Sequence, residues 1–174
     1  MSARELFRAR GNLKLRDEDA GATPLRDKNG NGKAKERERA ATVELSEQVA
    51  KLQERLYASR EKKLLLILQG MDTAGKDGTI RALFSQINPM GLHATGFIAP
   101  TEKEKAHDFL WRVHQRVPGK GEIGIFNRSH YEDVLVPRVY GDLDTRTCKR
   151  RLAQIRDFER MLAETGTTII KVFL

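Results

Sequence analysis

The sequence predicts an α/β fold, a parallel sheet with helices on both faces. Two observations carry this. From residue 64 onward, apolar strand-like runs alternate with helix-periodic segments in the order strand, helix, strand, helix, strand, helices, strand. Such an order builds a parallel sheet whose ligands sit at the strand C-terminal ends. The first apolar run, residues 64–68, also leads straight into Gly70-Met71-Asp72-Thr73-Ala74-Gly75-Lys76-Asp77-Gly78 and then into a helical segment over 79–87. Gly70 and Gly75-Lys76 have phosphate-loop spacing, in which bare backbone N–H groups cradle phosphate oxygens and a lysine adds charge. Glycine is required there because a Cβ would obstruct the anion.

The loop assigns phosphate binding to Gly70, Thr73, Ala74, Gly75, Lys76, Asp77 and Gly78, with Lys76 at a solvent-facing anion site. Asp77 stands where a Ser or Thr hydroxyl normally holds Mg²⁺, so another residue must take the metal. Asp72, inside the loop, is a hard oxygen ligand suited to that task.

Composition narrows the partner. The 174 residues carry 32 Lys plus Arg against 24 Asp plus Glu, a formal charge of +8, which favours a polyanion: nucleic acid, nucleotides or inorganic polyphosphate. Cys148 is the single cysteine, which excludes an intramolecular disulfide and any multi-cysteine metal site and fits a reducing cytoplasm. No apolar run approaches membrane-spanning length, and the N-terminus lacks an apolar leader, so a soluble protein is expected.

Residues 1–40 form a polar arm: Asp17-Glu18-Asp19, Thr23-Pro24 and Asn29-Gly30-Asn31-Gly32 leave few apolar side chains to offset ordering entropy. Residues 41–174 form the core with its leading helix. That helix spans about 33–59, with Leu45, Val49, Leu52 and Leu56 as a buried stripe. The stripe packs on the following domain or against a second copy, and few repeats favour the former; oligomerisation stays open. Asn88-Pro89-Met90-Gly91 breaks the helix after the loop, and 92–98 reads as a strand. One helix is expected over 102–117, with Phe109, Leu110, Val113 and Val117 on its apolar face and His107, Arg112 and His114 near the site or on the surface.

The strand over 122–126 runs into Asn127-Arg128-Ser129-His130-Tyr131-Glu132-Asp133. In phosphate-loop proteins a neighbouring strand ends in an acidic residue that helps hold Mg²⁺. Here that end is Asn127, with carboxylates following at Glu132 and Asp133. Arg128 presents a planar fork to phosphate oxygens, and Arg138 lies further along the same segment. Pro137 is expected to end or kink the short helix from His130. A long helix over 142–164 buries Leu152, Ile155, Phe158 and Leu162; Gly166 ends it, and 167–174 is a β-branched strand.

GMDTAGKDG followed by NRSHYEDVLV, with LQERLY before the first strand, resembles the polyphosphate kinase 2 family over roughly residues 40–174. The resemblance implies a P-loop NTPase, thymidylate kinase-like fold and Mg²⁺-dependent phosphoryl transfer between inorganic polyphosphate and a nucleoside mono- or diphosphate; nucleic acid is then not the expected partner, and the lack of a membrane-length apolar run sets a membrane aside. Residue by residue, it implies catalytic roles for Asp72, Lys76, Arg128 and Glu132. Asn127 departs from the aspartate often found before that arginine, which shifts the metal to Asp72, assisted by Glu132. Glu132 in its YEDVLV context is similar to the branch that phosphorylates AMP as well as ADP. Family members continue into a lid with further arginines and closing helices, whereas this sequence stops at Leu174; the resemblance therefore implies a C-terminally truncated core whose binding outlasts its turnover. Two other readings share these features, an ATP-using nucleoside monophosphate kinase and a non-catalytic polyanion-binding module.

Overall fold

The computed structural model describes residues 3–9, 11, 13–14, 16–25 and 33–174. The chain divides into two compact units, Met1–Thr42 and Val43–Leu174. The first contains a short helix, α1 (Ala3–Phe7), a 3-10 turn (Asp17–Gly21) and the opening turns of helix α2 (Lys33–Ser59). The Arg16 N–H donates to the Asp19 carboxylate at 2.8 Å and closes that turn. Asn29-Gly30-Asn31-Gly32 lies outside the described residues.

The second unit is built on four parallel strands, β1 (Lys63–Gln69), β2 (Leu92–Gly96), β3 (Ile123–Asn127) and β4 (Thr167–Phe173), in the spatial order β2-β3-β1-β4. Helices α3 (Lys76–Phe84), α4 (Glu102–Lys105), α5 (Trp111–His114), α6 (Glu132–Tyr140) and α7 (Thr145–Glu164) connect them. Right-handed crossovers explain the layering. The chain moves one way across the sheet from β1 to β2 and back the other way through β3 to β4, so α3 falls on one face and α5 and α7 on the other. Leu65, Ile67 and Phe126 pack with Val113, Phe158 and Leu162 in one core cluster. The alternate residues Leu66, Leu68 and Ile125 are buried as well, so both faces are covered. The α/β expectation is met.

Three local expectations are corrected. The helix expected over 102–117 is two short ones, because Asp108 starts a new turn: its side chain accepts the Leu110 N–H at 2.9 Å and its carbonyl the Trp111 N–H at 3.0 Å. The α2 stripe is not buried as expected. Leu45 and Leu52 are 56% and 59% exposed, while Ser46 and Gln53 are buried. Gln53 Nε2 donates to the Met90 carbonyl at 2.7 Å, so α2 docks through a polar anchor where apolar packing was expected. Finally, of the two outcomes expected at Pro137, an end or a kink, the end is ruled out: Pro137 sits inside α6, which continues to Tyr140 and ends at the left-handed Gly141. The Asp133 carbonyl, deprived by Pro137 of its helical N–H partner, accepts Arg151 Nη1 at 2.6 Å. The long helix starts at Thr145, capped by Asp144, whose side chain accepts the Thr147 N–H at 2.6 Å.

Candidate functional site

The β1/β3 register pairs Leu68 with Asn127, which brings the loop after β1 and the turn after β3 side by side at the C-terminal edge of the sheet. Gly75 adopts the left-handed conformation, φ +84°, as the N-cap of α3, and Thr79 N–H bonds its carbonyl at 2.9 Å. At Gly70 the reason for glycine is close approach, since a Cβ would lie 2.5 Å from the Leu174 oxygen.

Lys76 lines the open loop cleft, but its own side chain is largely buried. It is 8% exposed, and its ammonium donates to the Gly70 and Met71 carbonyls at 3.0 and 2.8 Å. A buried ammonium needs such partners to offset lost hydration. The lysine therefore braces the loop at the same point where it presents charge.

Arg128 and Thr73 are non-glycine residues with positive φ, +62° and +67°. Such conformations cost about 1–3 kcal/mol each and persist where the surroundings impose them. The Arg128 N–H donates to the Leu68 carbonyl at 3.0 Å, and its guanidinium pairs with the Asp72 carboxylate. Asp77, at the start of α3, accepts from the Asn127 amide.

Two cavities meet here. One, about 440 Å³, is walled by Asp72, Thr73, Gly75, Lys76, Asp77 and Gly78 on the loop side and Asn127 and Arg128 opposite. The other, about 570 Å³, is lined by Arg112, Glu132, Asp133, His107, Phe109 and Tyr140 among others. Both volumes suit a small ligand. Phe97, Ile98 and Arg128 belong to both walls. Arg138 lines neither; it is exposed, and its Nη1 donates to the Leu143 carbonyl at 3.2 Å. Gly70 and Ala74, also expected at the phosphate site, line neither cavity.

Mg²⁺ fits the loop cleft, since it needs only one or two carboxylates when waters and phosphate oxygens complete its shell. Asp72 and Asp77 both open into that cleft. Glu132 opens into the other cavity, so the structure does not converge the expected Asp72 and Glu132 pair on one point. Among the described residues no three His, Cys, Asp or Glu side chains form a protein-only cage. Asp133 is unavailable, both of its oxygens being held by the single Arg112 Nη2, at 3.1 and 2.9 Å, in a buried charge-assisted pair. Arg112 also donates to the Ile98 carbonyl at 2.7 Å, so it is a structural brace of the cavity wall.

Beneath the β3 turn, buried His130 contacts Glu159 at 3.2 Å, Tyr131 OH donates to Glu159 at 3.1 Å, and Lys171 Nζ donates to it at 2.7 Å. Burial opposes ionisation of Glu159, but the hydrogen bonds from His130 and Lys171 outweigh it and hold the carboxyl down at about 2. Burial raises the Tyr131 hydroxyl, and the Glu159 charge raises it further. Because the folded-state value of Glu159 is depressed, its stabilisation is fully present above the ordinary 4.5 and is lost as pH falls towards 2. With Lys171 49% exposed, screening limits the contribution to about 1–2 kcal/mol. Glu159→Gln is expected to lower the melting temperature at pH 7 and to converge with the wild type between pH 4.5 and 2; a constant difference across that range in thermal unfolding scans would refute the linkage.

The arrangement sets the glycine-rich loop and its lysine opposite an arginine across a carboxylate-lined cleft. A model of the family described as polyphosphate kinase 2 matches residues 32–174. The chain belongs to the polyphosphate kinase 2 family. It is 55% identical over 134 residues to the AMP/ADP-polyphosphate phosphotransferase of Meiothermus ruber, covering 77% of this chain and 50% of that protein. It is 43% identical over 140 residues to the ADP-polyphosphate phosphotransferase of Rhodopseudomonas palustris, covering 74% of this chain and 48% of the relative. The chain thus spans about half the length of these curated relatives. Its fold superimposes on the crystal structure of polyphosphate kinase 2 from Arthrobacter aurescens TC1 with a TM-score of 0.88 at 43% identity, covering 100% of this chain and 61% of that one. Among the described residues no helix is long and apolar enough to cross a membrane.

Sequence reasoning missed three features of the site: the Asp77–Asn127 pair, the Arg112 brace and the hydrogen bond that Gln69 Nε2 donates to Glu132 Oε1. The first had a signal in the carboxylate after the loop lysine, a poor phosphate ligand but a good metal ligand. The other two had none, because their partners are distant in sequence.

Proposed function

We propose that this chain transfers phosphoryl groups between inorganic polyphosphate and an adenine nucleotide, AMP or ADP, with polyphosphate:AMP phosphotransfer as the preferred assignment. The observation that carries the proposal is the junction of the two cavities at Arg128. The terminal phosphoryl of polyphosphate lies in the loop cleft against backbone N–H groups and Lys76. The acceptor occupies the larger cavity, and its phosphate oxygen forms the new P–O bond as the terminal phosphoanhydride breaks. Arg128, between them, follows the charge that moves onto the bridging oxygens. Asp72 and Asp77 are the residues that would hold Mg²⁺, which when bound neutralises phosphate charge and aligns the reacting oxygens. Glu132 lines the acceptor side and positions the short phosphate tail of AMP. The single buried Cys148 fits a reducing cytoplasm.

The test is incubation of the protein with Mg²⁺, polyphosphate and AMP or ADP, with nucleotide products resolved by chromatography and ATP as a control donor. Polyphosphate-dependent formation of ADP or ATP is expected. Transfer from ATP alone, or salt-sensitive binding of polyphosphate with no turnover, would overturn the proposal. Within the same assay, Glu132→Asn is expected to lower kcat/KM for AMP about tenfold more than for ADP, roughly 1.4 kcal/mol of selective stabilisation. Equal losses would show that Glu132 supports the site without discriminating.

A further inference from the structure

We infer that Gln69 is a positioning residue that locks the Glu132 carboxylate in place, through an amide whose orientation is dictated by buried Ser129. Gln69 is the last residue of β1, directly before the phosphate loop, and its Nε2 donates to Glu132 Oε1 across 63 positions of sequence. Its own Oε1 accepts the Ser129 hydroxyl at 3.1 Å. Ser129 is fully buried, and its Oγ accepts the Tyr131 N–H at 3.3 Å. With an N–H already pointing at Oγ, the hydroxyl hydrogen is free to turn towards Gln69. A hydroxyl donating to one end of an amide leaves the NH₂ at the other, and only that end satisfies an ionised carboxylate, which accepts and cannot donate. The flipped amide would set two acceptors face to face at Glu132. The relay therefore has one satisfied arrangement.

The consequence is that one carboxylate oxygen of Glu132 is committed within the protein and the other is left to the cavity, where Glu132 forms part of the wall. A glutamate side chain otherwise samples several rotamers, and fixing it before a ligand arrives moves that entropy cost from binding to folding. The backbone at this position is held independently: β1 pairs Gln69 with Phe173, and the Gln69 carbonyl accepts the Leu174 N–H at 2.9 Å. Changes to the side chain therefore leave the strand intact. The catalytic part of this inference rests on the function proposed above; the contact itself does not.

The experiment uses Gln69→Leu, Gln69→Glu, Ser129→Ala and the double variant of Gln69→Leu with Glu132→Asn. With AMP as acceptor, Gln69→Leu is expected to lower kcat/KM by about ten- to a hundredfold, as loss of an orienting partner commonly does. Gln69→Glu, nearly isosteric, is expected to lose at least as much, because it opposes two carboxylates. Ser129→Ala, which only frees the amide to flip, is expected to lose less. The double variant is expected to be no worse than Glu132→Asn alone, since both changes break one unit. Additive losses, or a Gln69→Glu variant with wild-type kinetics, would reduce Gln69 to a packing residue and overturn the inference. Nuclear magnetic resonance of the wild-type side-chain amides provides a readout independent of turnover. A Gln69 NH₂ proton shifted downfield and slow to exchange, and returned to solvent-like values in Glu132→Asn, is expected. An amide indifferent to that substitution would refute the contact even if transfer is robust, whereas absence of transfer in the wild type would defeat the functional proposal alone.

Discussion

Lys76→Ala is expected to reduce kcat/KM for polyphosphate-dependent nucleotide phosphorylation by about two to four powers of ten. One part of this is electrostatic: removing a single preorganised donor from developing charge commonly costs about 10²–10³ in rate. The rest is particular to this loop. The ammonium also joins the Gly70 and Met71 carbonyls, at 3.0 and 2.8 Å, across the turn that must present N–H groups to phosphate. Without it those carbonyls lose a charged partner, and hydrogen bonds to charged groups are worth about 1.5–3 kcal/mol. The variant should therefore melt a few degrees lower while keeping its circular dichroism spectrum. Lys76→Arg is expected to fare little better, because a planar guanidinium cannot place one compact charge between two carbonyls in a site that is 8% exposed. Activity within about threefold of wild type in either variant would remove the loop from the mechanism.

Arg128→Ala is expected to lower turnover further, by about 10³–10⁵, the worth of an arginine placed on a transferring phosphoryl group. Arg128 belongs to both cavity walls and pairs with Asp72, so its loss removes charge at the junction and leaves that carboxylate unopposed. Arg128→Lys keeps a charge without the fork and is expected to recover only part of the rate. The backbone supplies a second, opposite signature. At φ +62° a side chain costs about 1–2 kcal/mol that glycine does not. Arg128→Gly should therefore unfold at a higher temperature than Arg128→Ala while being equally inactive. Thermal unfolding and steady-state assays of the two variants decide the matter: equal stability would show that the turn is unstrained, and retained turnover would move the transferring group away from Arg128.

The expected β1 to loop to α3 sequence was legible because each step is local. An apolar run, two glycines at fixed spacing and a helix-forming segment need no distant partner, and the family motifs lie on the same contiguous stretches. The buried stripe of α7 was legible for the same reason: Ile155, Phe158 and Leu162 recur at helical spacing and are all buried. What sequence misjudged was which apolar stripe is covered, since Leu45 and Leu52 look no different from α7's residues until Gln53 finds the Met90 carbonyl 37 positions away. It also missed the break at Asp108, because a side chain competing for backbone N–H groups leaves helical periodicity intact. The pairings at the site are set by the β1/β3 register alone. Arg128 meets Asp72 across 56 positions, Asn127 meets Asp77 across 50, and Gln69 meets Glu132 across 63. Residue types and spacing by themselves determined that this protein has a phosphate loop, an arginine turn and a parallel sheet. Only the tertiary structure decided that Asp72 and Glu132 face different cavities and that Lys76 is buried, because those positions depend on which strand ends are brought together and on which partners offset the lost hydration of each charge.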